Sequence, residues 1–178
     1  MKKIFALVLA MMMLCSVSAF AEDGGIPFEV GNLQMTIPAG ATNSTSVNGE
    51  QITGTIIDGT MIYIVSTSPF QSGTLENSLI YTTVENAMYQ SLDPAYTLVD
   101  EQVVTIGGEE ARLSMTNLTI SGRNVNSLFF AVMHEDVLYM AVVINVAGET
   151  TYEDLNTLLA MIDAPELFQN PVVLPEAK

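Results

Sequence analysis

The chain has 178 residues, of which 49% are apolar, and it carries 20 acidic against 5 basic side chains, for a formal net charge of −15 at pH 7. This charge excludes nucleic-acid binding and docking on anionic lipid, because both require clustered lysine and arginine. The length and apolar content are typical of a single folded domain with its own core and not of a disordered chain.

The first 21 residues have the pattern of a secretory signal peptide. Lys2 and Lys3 precede an apolar run over residues 4–17, and Ala19-Phe20-Ala21 is a small-x-small cleavage site. The run is shorter than the ~18 residues that a membrane-spanning helix needs. We therefore predict cleavage after Ala21 and a secreted or cell-envelope bacterial protein with no membrane attachment once it is mature.

Cysteine chemistry is not expected in the mature chain. The only cysteine is Cys15, which lies inside the predicted signal peptide. Leu14 precedes it, whereas a lipoprotein motif has a small residue there, so lipidation is not expected. The predicted organisation is a signal peptide over residues 1–21, one domain over residues 22–164, and a proline-containing tail over residues 165–178.

The N-terminal half is predicted to contain two β-hairpins. The predicted strands are residues 28–30 with 33–37, and residues 51–57 with 61–66. Their turns lie at Gly31-Asn32 and Asp58-Gly59, which are dipeptides typical of tight hairpins. The segment between them, residues 39–50, is rich in Gly, Asn, Ser and Thr and is predicted to be an exposed loop.

An amphipathic helix is predicted between Ser72 and Ser91, where the apolar period changes from two to about 3.6. Its apolar stripe is formed by Leu75, Leu79, Thr83, Val84, Ala87 and Met88. Ser72 or Thr74 is the predicted cap of the first turn. Asp93-Pro94 ends the helix, because the residue before a proline is pushed away from helical angles.

Four strands are predicted next, over residues 96–106, 110–120, 125–133 and 137–146. The turns between them lie at Gly107-Gly108 and at His134-Glu135-Asp136. The last strand is apolar at nearly every position, so both of its faces are expected to be buried. A three-residue link cannot carry a parallel crossover, and the pairing is therefore antiparallel.

An antiparallel strand that is buried on both faces needs helices on both sides of its sheet. The second helix is predicted after residue 150, because Thr150 and Glu153 have capping-box spacing. Its apolar stripe consists of Leu155, Leu158, Leu159 and Ile162. The predicted fold class is α+β, as an α/β/α sandwich around a central antiparallel sheet.

Four segments of the chain resemble the PsbP-like superfamily, which includes DcrB-like small exported bacterial proteins of unknown function. They are residues 35–40 (Met-Thr-Ile-Pro-Ala-Gly), 104–111 (Val-Thr-Ile-Gly-Gly-Glu-Glu-Ala), 138–140 (Leu-Tyr-Met) and the predicted helix over 152–162. The resemblance implies an α/β/α sandwich and a non-enzymatic role in binding or assembly. The chain departs from the family pattern at Ala41, where an aromatic residue commonly follows the Pro-x-Gly turn, and in its few basic residues.

The chain offers little for catalysis or cofactor binding. His134 is the single histidine, and no Gly-x-Ser-x-Gly elbow is present, so a Ser-His-Asp hydrolase is not expected. One histidine and no cysteine in the predicted mature chain are too few ligands for an imidazole or thiolate metal site. The Rossmann and Walker glycine motifs are also absent. We predict no catalytic residue and no cofactor.

Carboxylates are the only abundant functional groups. Adjacent residues on a strand point to opposite faces, so Asp100 and Glu101 cannot act on one ligand. This alternation does not apply in turns, where the pairs Glu109-Glu110 and Glu135-Asp136 are predicted to lie. These pairs are weak candidates for a calcium site, and solvated hairpin tips are the competing interpretation.

The function predicted from sequence is a non-catalytic binding or assembly module with an unknown protein or cell-envelope partner. Residues 39–50 and the hairpin tips are the expected contact regions, because loops on a rigid scaffold usually carry recognition. Arg112 and Arg123 are expected to pair with neighbouring carboxylates.

Two alternatives remain open, as does the oligomeric state. One is an extracytoplasmic, cation-dependent hydrolase, in which at least three of five acidic side chains would converge in a pocket. These five are Asp100, Glu109, Glu110, Glu135 and Asp136. The other is a structural role through an exposed sheet edge, which predicts concentration-dependent oligomers.

Overall fold

The structure is a computed structural model that describes residues 25–70, 76–106 and 108–163. The predicted signal peptide, the predicted C-terminal tail and the helix-cap candidates Ser72 and Thr74 lie outside the described residues.

The described residues form nine strands and two helices. In chain order these are β1 (Ile26–Val30), β2 (Leu33–Ile37), β3 (Thr42–Asn48), β4 (Gln51–Asp58), β5 (Met61–Pro69), α1 (Asn77–Leu92), β6 (Thr97–Ile106), β7 (Glu109–Ile120), β8 (Arg123–His134), β9 (Val137–Asn145) and α2 (Tyr152–Met161). Within the described ranges, neither helix is long and apolar enough to span a lipid bilayer.

Every strand pairs with its neighbours in the antiparallel direction. β1 and β2 form a separate hairpin, and the other seven strands form one sheet in the order β3-β4-β5-β9-β8-β7-β6. The predicted hairpins are confirmed, with the β4–β5 turn one residue later than predicted, at Gly59-Thr60. Gly31 and Gly59 both have positive φ angles, which glycine adopts without steric cost.

The prediction of an exposed loop over residues 39–50 is wrong. Residues 42–48 form β3, which pairs with β4 from Thr42 opposite Ile57 to Asn48 opposite Gln51. β3 lies at the edge of the sheet and most of its side chains are exposed or half-buried, so the strand needs no apolar alternation. The turn is limited to Gly49 and Glu50.

Two core clusters draw on alternate residues of β9. The first contains Tyr139, Ala141 and Val143 together with residues of the β1–β2 hairpin and Leu155, Leu158 and Leu159 of α2. The second contains Leu138, Met140, Val142 and Ile144 together with Ile80, Tyr81 and Tyr89 of α1. The predicted burial of the last strand is confirmed, since every side chain from Leu138 to Ile144 is buried.

The predicted apolar stripe of the first helix is only partly right, because Val84 and Met88 are half-buried and pack against the second core cluster. The buried residues of α1 are Ile80, Tyr81, Glu85 and Tyr89, whereas Leu79 is 52% exposed. The tyrosine hydroxyls and the carboxylate reach polar partners in the sheet, so hydropathy alone misses these buried residues of the helix. The predicted end of the helix is confirmed, because α1 stops before Asp93.

The cap of the second helix lies one residue later than predicted. Oδ2 of Asp154 accepts hydrogen bonds from the backbone N–H and the hydroxyl of Thr151, at 2.7 and 2.9 Å. Thr150 is buried instead, and its hydroxyl donates to the backbone carbonyl of Asn126. The predicted apolar stripe of this helix is confirmed.

Candidate binding groove

A groove of about 500 Å³ lies between α1 and the part of the sheet formed by β4, β5 and β9. It opens because α1 packs against β7 and β8, so the helix is displaced toward one side of the sheet. Apolar side chains from the helix and the sheet line much of the groove. They include Ile64, Phe70, Val84, Met88, Leu138 and Met140.

Neutral polar side chains form the remainder of the lining, mostly from the tip of the β3–β4 hairpin. They include Asn48, Gln51, Thr53, Ser68 and Ser91. The Gln51 amide donates to Oγ of the fully buried Ser66 at 2.9 Å, and the hydroxyls of Thr53 and Ser66 are also 2.9 Å apart. These bonds fix the hairpin tip against β5.

The described residues that line this groove include no acid, base, tyrosine or cysteine. An apolar surface with a few hydroxyl and amide groups can bury an apolar side chain and hydrogen-bond a polypeptide backbone. The described part of the lining supplies no group that could transfer a proton at neutral pH.

A second concavity, of about 660 Å³, lies just beyond the C-terminal end of α1, and several of its polar groups are bonded within the chain. The two carboxylate oxygens of Asp93 accept from the backbone N–H groups of Ala95 and Thr119, at 2.9 and 2.7 Å. These bonds hold the pKa of Asp93 below its usual value. The Asn126 side chain donates to the Thr150 carbonyl and accepts from the Thr150 N–H. The groove beside α1 is thus the better candidate for a ligand.

The acidic turns lie at one end of the sheet, but they do not assemble a metal centre. Glu109 begins β7 next to the last residue of β8, and its Oε1 lies 3.5 Å from Nδ1 of His134. Glu135 and Asp136 form the next turn, both with positive φ angles. Among the described residues, no three or more His, Cys, Asp or Glu side chains are placed to hold a metal ion. The convergence of acidic side chains that the hydrolase alternative requires is not found in this part of the chain.

A charged network between α1 and β7 was missed by sequence reasoning. Nε of Arg112 lies 2.6 Å from Oε2 of Glu85, and Nη2 lies 2.8 Å from Oε2 of Glu101. The Ser114 hydroxyl donates to the other oxygen of Glu85. The expected pairing of Arg112 is confirmed, whereas no ion pair of Arg123 is found in the described ranges. The sequence feature that could have indicated this network is the spacing of Glu85, which is four residues from both Tyr81 and Tyr89 and therefore on the same helix face.

Comparisons with known proteins identify the fold. No family model matches the chain, and no curated protein matches it significantly. The solution structure of cyanobacterial PsbP (CyanoP) from Synechocystis sp. PCC 6803 matches with a TM-score of 0.58 at 11% identity, over 85% of this chain and 99% of that chain. A crystal structure of a protein of unknown function from Pseudomonas aeruginosa matches with a TM-score of 0.40 at 12% identity, over 68% of this chain and 83% of that chain. The chain has a PsbP-like fold, as the sequence resemblance implied.

Proposed function

We propose that the protein is a secreted or cell-envelope binding or assembly module without catalytic activity, and that the groove beside α1 receives its partner. The observation that supports this proposal is the groove itself, with an apolar floor and a neutral rim of amides and hydroxyls. Burial of an aliphatic or aromatic side chain on such a floor is favourable by about 25 cal/mol per Å² of apolar surface. The rim can meanwhile hydrogen-bond the partner's backbone.

Charge favours a neutral or cationic partner. Glu50 lies in the turn that carries Asn48 and Gln51, and the backbone carbonyl of Asp136 accepts a hydrogen bond from the N–H of Phe70 at 2.6 Å. The mouth of the groove is therefore bordered by acidic turns, within a chain of net charge −15. Such a field accelerates the approach of a cationic surface and repels an anionic one.

Export is part of the same proposal. Residues 1–21 are proposed to be a signal peptide cleaved after Ala21, followed by one domain over residues 22–164 and a tail over residues 165–178. Intact-mass measurement of the protein recovered from its native cells should give an N-terminus at Glu22. A chain that retains residues 1–21 would contradict export by this route.

The finer fold assignment is an α/β/α sandwich. Successive side chains of a strand point to opposite faces, and α1 and α2 share their clusters with alternate residues of β9. This alternation supports helices on both faces of the sheet. An experimental structure with both helices on one face would contradict the assignment.

Site-specific photo-crosslinking in native cells tests the placement of the partner. A photoreactive amino acid at Ser91, an exposed residue of the groove, is compared with one at Thr119, an exposed residue of the second concavity. We expect a discrete adduct from position 91 and none from position 119. An adduct from position 119 alone, or equal adducts from both, would contradict the groove as the binding site.

A further inference from the structure

The two edges of the seven-stranded sheet differ in how they are protected. β6 forms one edge, and its pairing with β7 shifts register between Leu98 and Asp100. Asp100 and Glu101 are exposed on this strand. A bulge and charged side chains are devices that discourage another strand from joining an edge.

β3 forms the other edge and has none of these devices. Its sequence, Thr-Asn-Ser-Thr-Ser-Val-Asn, contains no charge and no proline, although the chain has 20 acidic residues. It pairs with β4 over seven consecutive residues without a register shift. Within the described part of the chain, β3 is a terminal strand, so backbone N–H and C=O groups on its outer side point away from β4.

We propose that the outer edge of β3 binds an extended segment of a partner protein as an added strand, and that this segment is basic at its ends. Val47 is 69% exposed on β3, so an aliphatic residue of the segment would bury it. Glu50 follows β3, and Asp58 ends β4 beside the start of β3. Acidic side chains thus lie near both ends of the edge and complement lysine or arginine on either side of the added strand.

A second copy of this chain is the less suitable occupant. Each copy carries a net charge of −15, so two copies repel one another, most strongly at low ionic strength. The inference goes beyond the proposed function, because the groove can be filled without strand addition and the edge can be extended with the groove empty.

The test uses a synthetic probe, Lys-Lys-Thr-Val-Thr-Val-Thr-Lys-Lys, and the ¹⁵N-labelled protein expressed with its own leader and purified as the cell processes it. We expect the peptide to shift the amide resonances of Thr42–Asn48 and to leave those of β6 unchanged. The same peptide with glutamate in place of lysine should bind at least about tenfold more weakly.

Two exposed valines on opposite edges give a matched pair of variants. Val47→Lys places a protective charge on β3 and should weaken peptide binding about tenfold. Val103→Lys adds the same charge on β6, where Val103 is 67% exposed, and should leave binding unchanged. Absence of binding, equal effects of the two variants, equal binding of the glutamate peptide, or self-association through β3 would each overturn the proposal.

Discussion

Nε of Arg112 on β7 lies 2.6 Å from Oε2 of Glu85 on α1, and the pair joins the helix to the sheet. Glu85 is only 3% exposed, and Ser114 bonds its second oxygen. Because the pair is largely removed from water, either charge would destabilise the fold if its partner were lost. The exposed Glu101 contributes little to stability. We infer that this contact helps to hold α1 over β7.

Removing the buried partner should destabilise the protein far more than removing the exposed one. We expect Glu85→Ala to lower the free energy of unfolding by about 3 kcal/mol, because Arg112 loses its buried partner. Glu101→Ala, the control, should cost less than about 1 kcal/mol. Urea unfolding followed by circular dichroism measures both values, and equal costs would contradict this assignment.

Alkaline pH should destabilise the fold through Tyr89. Burial raises the pKa of Tyr89 to about 12 from its ordinary value of 10.0, partly offset by the hydrogen bond from Ser127. Because the pKa of Tyr89 is raised in the folded state, the un-ionised hydroxyl stabilises the fold. This stabilisation is present below pH 10 and is lost as the pH rises from 10 toward about 12.

The matching variant is Tyr89→Phe. It should reduce the loss of stability between about pH 9 and 11, which denaturant midpoints at the two pH values measure. Part of the loss should remain, because burial also raises the pKa values of Tyr63, Tyr81 and Tyr152. An unchanged pH dependence in the variant would contradict the burial of an un-ionised Tyr89.

Acid should weaken the turn after α1 through Asp93. Hydrogen bonds from the backbone N–H groups of Ala95 and Thr119 lower the pKa of Asp93 from its ordinary value of 3.8. A carboxyl group whose pKa is lower in the folded state stabilises the fold at pH values above its unfolded-state pKa. This stabilisation is lost as the pH falls through the folded-state pKa. NMR titration of the Asp93 carboxyl carbon should give a midpoint below 3.8. A midpoint at or above it would contradict these bonds.

Calcium should not stabilise the protein. Glu109, Glu110, Glu135 and Asp136 do not form a group of three or more ligands in the described part of the chain. A ligand that binds the folded state raises its melting temperature by mass action. We therefore expect equal melting temperatures with and without millimolar calcium. A rise that magnesium does not reproduce would restore the acidic turns as a cation site.

The sequence is sufficient for those parts of the fold in which local pattern and burial agree. The unbroken apolar run from Leu138 to Ile144 predicts a strand buried on both faces, and Gly31-Asn32 predicts a hairpin. β3 was missed because an exposed edge strand needs no apolar alternation, and its pairing with β4 lies in backbone hydrogen bonds that hydropathy does not report.

The candidate site is less predictable because it depends on distances between elements. A glutamate at position 85 argues against predicting that this face of the helix is buried. The prediction changes only when Arg112, 27 residues away in the chain, is known to lie beside Glu85. The groove arises because α1 lies over β7 and β8, an offset that is set by such contacts and not by any motif. Its rim residues Asn48 and Gln51 belong to the segment around the β3–β4 turn, near the expected contact region.

The most direct test of binding at the groove is hydrogen–deuterium exchange of the protein, alone and in the complex purified from its native cells. We predict slower exchange in the complex at residues 48–53 and 84–92, which border the groove. Slower exchange confined to residues 93–97 and 117–126, around the second concavity, would contradict it.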